Sequence, residues 1–381
     1  MFVIQGQYTS ATVMIDAIDT VCFKQIQAMT NCKAFDKPIV IMPDTHAGKG
    51  SVIGFTMPVS DKIICNVIGV DIGCGVTIVK LGEIKQDLKT IDTTIRSILP
   101  LGTSVHSKPA LNLEREFDWK LYNKSIHSDD SITDYLSLKH YCEENLNTDF
   151  NRVQCSLGTL GGGNHYCELG KDSHGTTWLS VHSGSRNFGK QIAEYWQHKA
   201  NEFHGNKSEL NWLKQEDTTG YINDMIFAQM FAKANRDTMI NLIVDILGWE
   251  IKERIESVHN YIDFCDNIMR KGAISAQKDE HVVIPLNMRD GVIIGKGLGN
   301  SEWNYSAPHG SGRLFSRNAA KKEFTLDEFE KSMNGIYSTS INDATLDESP
   351  MAYKDSAIIV ELIKPTVKIT DIVKPVLNIK A

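Results

Sequence analysis

Within VIGVDIGCGV, Val67 to Val76, a carboxylate and a thiol stand three residues apart, Asp71 and Cys74, with glycines at 73 and 75. Both groups ligate metals, and glycine lets the chain bend sharply enough to bring them together. Taken alone, the stretch reads more simply as a buried strand running into a turn, with the cysteine as a small hydrophobe. Four histidines in similar settings change that balance. His165 follows three glycines in LGGGNHYCE, between Asn164 and the pair Tyr166 and Cys167, with Glu168 next. His182 ends an apolar run in VHSGSRNFG, His259 follows valine in VHNY, and His309 lies in APHGSGR. Singly, these read as a turn cap, a strand donor, a satisfied core residue and a polar loop residue. Together with Asp71 and Cys74 they furnish two metal shells with one imidazole left over. A thiolate can bridge two ions, and mixed S, N and O donors suit manganese, zinc or cobalt better than magnesium.

The glycine clusters GGGN and HGSGR let backbone N–H groups approach an anion, and Arg186 and Arg313 can grip phosphate oxygens in bidentate fashion. Arg317 and the lysines at 321 and 322 either extend that path or form an ordinary solvated helix face. Neither loop matches GxxxxGK[ST], which excludes the common nucleotide-binding P-loop.

These loops need a scaffold. KPIVIMPD, SVIGFTMPVS, KIICNVIGVD and VTIVKLG read as short strands, and DEHVVIPLNMRDGVIIGKGLG as two more around a turn. TTWLSVHSGSRNFG reads as strand then loop. Helices are expected over Ile132 to Glu144, over Tyr221 to Leu247, and after the capping box of Thr325 and Glu328. The mixture without regular βαβ spacing indicates an α+β fold, one domain over 1–381, with a peripheral insertion at 105–150.

A chain of 381 residues with 41% hydrophobic and 23% charged residues has the composition of an ordinary soluble protein. The net charge of −7 argues against a protein that coats nucleic acid nonspecifically, though not against a local phosphate-binding cleft. Eight cysteines without framework spacing or a CxxC pair point to free thiols or metal ligands in a reducing compartment. With no leader and no apolar run long enough for a membrane helix, a cytoplasmic location is expected.

GVDIGCG, LGGGNH, HSGSR, HNY, RKGA, HGSGR and PMAYKD, in this order, closely resemble the RtcB family of GTP-dependent RNA ligases. The likeness runs from MPDTHAGKGSVIG to the C-terminal NIKA, with no signature at 105–150 or over much of 202–218. It implies a compact fold with mixed sheets, peripheral helices and a central metal cleft. It also implies two manganese ions, one on Asp71, Cys74 and His165, the other on Cys74, His182 and His259. His309 corresponds to the residue guanylylated by GTP. Asn164, His165, Tyr166, Cys167, Glu168 and Asn260 correspond to guanylate contacts. Gly310, Ser311 and Gly312 cradle the nucleotide with His309, and Lys380 reaches it from the C-terminus. Asp44 and His46 match a further glycine-flanked family loop.

The implied reaction joins RNA 3′-phosphate or 2′,3′-cyclic phosphate ends to 5′-hydroxyl ends through histidine–GMP and RNA–GMP intermediates. The rivals are a metal-dependent RNA phosphoesterase, which would not need His309, and a nonenzymatic RNA-end binding protein. One departure stands out. Where the family has PGSMG followed by a serine, this chain reads PLNMRDGVI, so Pro285, Asn287 and Met288 form the nucleotide-facing wall and Val292 replaces the hydroxyl. That difference points to a specialised RNA-repair member.

Overall fold

The computed structural model describes residues 1–125 and 132–381; of the insertion expected at 105–150, residues 126–131 lie outside the described residues. The strands in chain order are β1 (Phe2–Gln5), β2 (Ser10–Val13), β3 (Ile39–His46), β4 (Ile53–Pro58) and β5 (Gly75–Leu81). β6 (Tyr166–Lys171), β7 (Thr177–Ser183), β8 (Ile251–Val258), β9 (Asn260–Asp263) and β10 (Ile268–Lys271) follow. The last are β11 (Ala273–Ser275), β12 (His281–Asn287), β13 (Gly291–Gly297), β14 (Ser306–Pro308) and β15 (Val367–Ile379). They build a seven-stranded sheet, β12-β13-β15-β6-β7-β5-β8, a six-stranded sheet, β1-β2-β3-β4-β10-β9, and the pair β11-β14. Helices alongside mixed sheets make this an α+β fold.

The helix Gln215–Leu247 packs on β5 and β7 and ends at Gly248 in a left-handed C-cap. Apolar residues occur around most of its circumference, as suits a helix enclosed by neighbours. Phe227 and Phe231 enter one core with Phe188 and Trp196, while Met239 and Ile243 enter another with Val79, Leu179 and Val181. Leu113, Phe117, Tyr122, Leu138 and Phe150, from the stretch 105–150, are buried in the first of these cores.

The strands expected in KPIVIMPD, SVIGFTMPVS and VTIVKLG are present, as is the capping box of Thr325 and Glu328. KIICNVIGVD is not a strand. Cys65–Ile68 forms one buried helical turn, and the strand begins after the glycines, at Gly75. A short apolar run buried on all sides has no periodicity to distinguish the two. The expected helix after Ile132 is confined to Tyr135–His140 and a wider turn over Tyr141–Asn145. The helix Arg186–His204 starts directly after the HSGS segment, so RNFG, read in sequence as loop, is its first turn.

Candidate metal centre and adjoining cavity

Asp71 and Cys74 occupy the loop entering β5. Gly73 has φ +70°, and a Cβ there would lie 2.6 Å from the Cα of Gln229 on the long helix, so only glycine lets the loop sit this deep. Its N–H donates to the Asn260 carbonyl at 2.8 Å, and the His259 N–H donates to the Cys74 carbonyl at 2.9 Å. The loop and the β8–β9 corner therefore fix each other. His165 precedes β6 and His182 lies near the end of β7, where Tyr166 pairs with His182 across the ladder.

Two ligand groups result, Asp71 with Cys74 and His165, and Cys74 with His182 and His259; within each, the ligand atoms lie within 4.8 Å of one another. Cys74 belongs to both. Its Sγ is 3.4 Å from His165 Nε2 and 3.3 Å from His182 Nε2, and the His182 and His259 Nε2 atoms are 3.4 Å apart. A carbonyl can only accept, so the contacts of His165 Nδ1 with the Leu160 carbonyl (3.1 Å) and of His182 Nδ1 with the Asn164 carbonyl (3.2 Å) place the proton on Nδ1 in both rings. Their Nε2 lone pairs are left to converge on the thiol, a tautomer choice typical of metal ligands. Burial pushes the pKa values of His182 and His259 well below the ordinary histidine value, which keeps both rings neutral. Burial also pushes Asp71 upward, but the contact of its Oδ2 with His165 Nε2 at 3.0 Å outweighs it and holds the carboxyl at about 2; with Nδ1–H on the Leu160 carbonyl, that contact calls for a second proton or a cation on Nε2. Burial and Asp71 push the Cys74 thiol well up, so a nearby cation is what would favour the thiolate. Neutral imidazoles, a carboxylate and one shared sulfur fit a pair of borderline divalent ions.

Sequence reading missed the side chains that hold these loops. Arg236, fully buried on the long helix, donates to the carbonyls of Gly73 and Ser183, each at 2.9 Å, and pairs with Glu256 at 2.7 Å. Its neighbour Asn235 accepts from the N–H groups of Gly158 and Thr159 and donates to the Gly184 carbonyl. An arginine inside an amphipathic-looking helix passes for a surface charge, and no local pattern in the sequence marks this one as buried.

Beside the metal groups opens a cavity of about 700 Å³, lined by His46, Asn164, Tyr166, Glu168, His182, Pro285 to Met288, Val292, His309 to Arg317, Glu348, Tyr353, Asn378 and Lys380 among others. That is the size of a small-molecule site. The His309 ring lies tilted against that of His259, ring centroids 4.7 Å apart. Its Nδ1 is 2.7 Å from Asp44 Oδ2, on β3 and fully buried, which leaves Nε2 as the ring's lone-pair atom. The other oxygen of Asp44 has no protein donor among the described residues. Gly312, φ +73°, lies so close that a Cβ would sit 1.9 Å from the Asp44 carbonyl oxygen, so the glycine loop is seated on β3. Lys354 donates to the Pro43 and Thr45 carbonyls at 2.8 and 2.7 Å and fixes the strand on either side of Asp44.

At the far wall Glu348 gathers cations. Lys380 (3.0 Å), Arg313 (3.1 Å) and Arg317 (2.6 Å) all reach it, and the Tyr353 hydroxyl donates at 2.6 Å. Burial would raise the Glu348 carboxyl, but these cations bring it down to about 2. Glu168 is raised to about 8 by burial, with the Asn378 amide (2.7 Å) opposing.

Of the candidate nucleotide contacts, Asn164, Tyr166, Glu168, Pro285, Asn287, Met288, His309, Gly310, Ser311, Gly312 and Lys380 line the cavity. Cys167 does not. Strand alternation turns it to the other face of β6, into the core with Leu169 and Ile379. Asn260 lies behind the metal loop, donating to the Asp71 carbonyl at 3.0 Å and accepting from the Gly272 N–H. The Asn287 side chain is engaged in its own turn, accepting from the Arg289 and Asp290 N–H groups. Among the arginines, Arg313 and Arg317 reach the cavity wall, whereas Arg186 turns inward to Thr159 Oγ1 and the Gly102 carbonyl.

Two ligand groups sharing a thiol, beside a cavity with a carboxylate-held imidazole and a ring of cations, equip an α+β protein for metal-assisted chemistry on phosphate esters. A family profile described as tRNA-splicing ligase RtcB matches residues 25–381, nearly the whole chain, and the protein belongs to the RtcB family. An RNA-splicing ligase RtcB1 of an Escherichia coli strain is 32% identical over 355 residues, covering 84% of each chain. RNA-splicing ligase RtcB of Escherichia coli K12 is 32% identical over 351 residues, again covering 84% of each. The tRNA-splicing ligase RtcB of Nanoarchaeum equitans is 26% identical over 403 residues, covering 84% of this chain and 82% of that one.

Proposed function

We propose that this protein is an RNA ligase that uses GTP and two manganese ions to join RNA 3′-phosphate or 2′,3′-cyclic phosphate ends to 5′-hydroxyl ends. The observation that carries the reading is His309, held through Nδ1 by a buried carboxylate beside two ligand groups that share Cys74. Asp71, Cys74, His165, His182 and His259 would hold the ions, which when bound polarise phosphate oxygens and offset their charge.

His309 attacks the α-phosphorus of GTP through Nε2, and pyrophosphate leaves. The Nδ1–H stays on Asp44, whose carboxylate stabilises the positive charge that forms on the phosphorylated ring. GMP then passes to the RNA 3′-phosphate, and the 5′-hydroxyl displaces it; a cyclic phosphate end is first opened to the 3′-phosphate. Asn164, Tyr166, Glu168, Lys380 and the His309–Gly312 loop form the guanylate pocket. Glu168 suits the guanine edge, because its ionised form gains from paired N–H donors that offset its burial. Arg313 and Arg317 serve RNA phosphates at the rim. No helix among the described residues is long and apolar enough to cross a membrane. A cytoplasmic site of action accords with eight free cysteines.

Labelled GTP with manganese tests the reading. A covalent GMP adduct on the protein, together with joining of end-matched RNA strands, is expected. Phosphate release from RNA without any adduct would favour a phosphoesterase instead.

A further inference from the structure

The proposed steps differ in what happens to protons. When His309 attacks GTP, its Nδ1–H remains on Asp44 and no proton needs to leave. When an RNA 3′-phosphate takes up GMP, an anionic oxygen attacks and again none is released. Joining is different: as the 5′-oxygen bonds to phosphorus and the bond from that phosphorus to GMP breaks, the hydroxyl proton must go to an acceptor.

Most titratable groups facing the cavity are already engaged. Glu348 is bound to Lys380, Arg313 and Arg317; Glu168 accepts from Asn378; His182 points its Nε2 at Cys74. Three acceptors remain: His309 Nε2, vacated once GMP has moved to the RNA, the second oxygen of Asp44, which is buried behind that ring, and His46, which alone takes no part in the earlier steps. It lies two residues beyond Asp44 on β3 and lines the same cavity as His309. Its Nδ1–H donates to the Asp44 carbonyl at 3.1 Å, so Asp44 holds one imidazole by its carboxylate and another by its backbone. The β3–β4 register, His46 opposite Ile53, fixes the backbone of this second ring. The Nε2 of His46 has no hydrogen-bond partner among the described residues, and its lone pair is available to a hydroxyl.

We propose that His46 is a further catalytic residue, whose Nε2 accepts the proton of the RNA 5′-hydroxyl as GMP is displaced. The inference rests on the ligase reading above. Burial pushes His46 down to about 4, with Asp44 opposing and the neighbouring His309 and Lys354 adding to the fall, so at neutral pH the ring is uncharged and its Nε2 carries no proton.

The test separates the steps in the full-length protein with His46→Gln and His46→Ala. Covalent GMP attachment and transfer of GMP to a 3′-phosphate RNA should stay within a few-fold of wild type, which also shows that the cavity is intact. Sealing of isolated GMP-capped RNA to a 5′-hydroxyl strand should fall by about 10²–10³-fold, so that capped RNA accumulates. A strand ending in a 5′-thiol, acidic enough to lose its proton to solvent, should restore most of the loss. A structural defect would not respond to that change of nucleophile. Wild-type sealing of capped RNA by both variants would overturn the inference, as would equal loss of all three steps without thiol rescue. Absence of a GMP adduct in the wild type would instead overturn the reading beneath it.

Discussion

The histidines fall into two regions that use the same ring chemistry differently. In the metal centre, His165 and His182 place Nδ1–H on the carbonyls of Leu160 and Asn164 and turn Nε2 toward Cys74. In the adjoining cavity, His309 places Nδ1–H on the carboxylate of Asp44. All three tautomers expose Nε2, but the charge behind them differs. A neutral carbonyl orients a ligand without adding charge to a crowded cation site, whereas a carboxylate stabilises a ring that becomes positive on attacking phosphorus. The anchoring partner, more than the histidine, distinguishes a ligand from a nucleophile here.

Breaking the first region should have the largest effect. Cys74→Ala should lose both ions and all ligation, because the sulfur alone is shared, whereas His259→Ala should keep the ion of the other group. Metal content after mild chelation reads this directly, and two ions retained per chain in C74A would refute the shared-thiolate arrangement.

Breaking the second region should spare the first. In Asp44→Asn the anionic partner is lost and the amide no longer selects the Nδ1–H tautomer, so guanylylation should slow by about 10²–10⁴-fold. Metal content should remain that of the wild type. Labelling of D44N at the wild-type rate would show that the carboxylate does not drive attack.

The smallest effect should come from the cavity wall. Val292 is buried with Val76, Trp178, Val283 and Val373, so its role is packing as well as lining. Val292→Ser should lower stability by about 1–2 kcal/mol through lost burial and a buried hydroxyl. Any gain in GTP use should not exceed roughly 1.5 kcal/mol. Denaturant unfolding and the GTP dependence of labelling check both. A sharper GTP dependence without loss of stability would mean that the side chain faces the nucleotide rather than the core.

Asp71, Cys74, His165 and His182, which the structure gathers with His259, stand out in sequence because glycines lie within a few residues of each, whereas His259 in SVHNY has no such neighbour. The anchoring of the site does not stand out. Asp44 meets His309 across 265 positions, and Arg236 reaches Gly73 across 163, pairings that no local pattern encodes. The inward direction of Cys167 is readable from its alternation with Tyr166 and Glu168, against the continuous run of contacts that the resemblance implies. The turn of helix at Cys65–Ile68 was beyond reach for a different reason, since tertiary enclosure rather than periodicity determines it.

The central claim, that Asp44 commits His309 to attack through Nε2, is tested most directly by locating the GMP on the wild-type protein. Peptide mapping combined with NMR of the phosphorylated ring should find the adduct on His309 with phosphorus bonded to Nε2. An adduct on Nδ1, on another residue, or on none would contradict it.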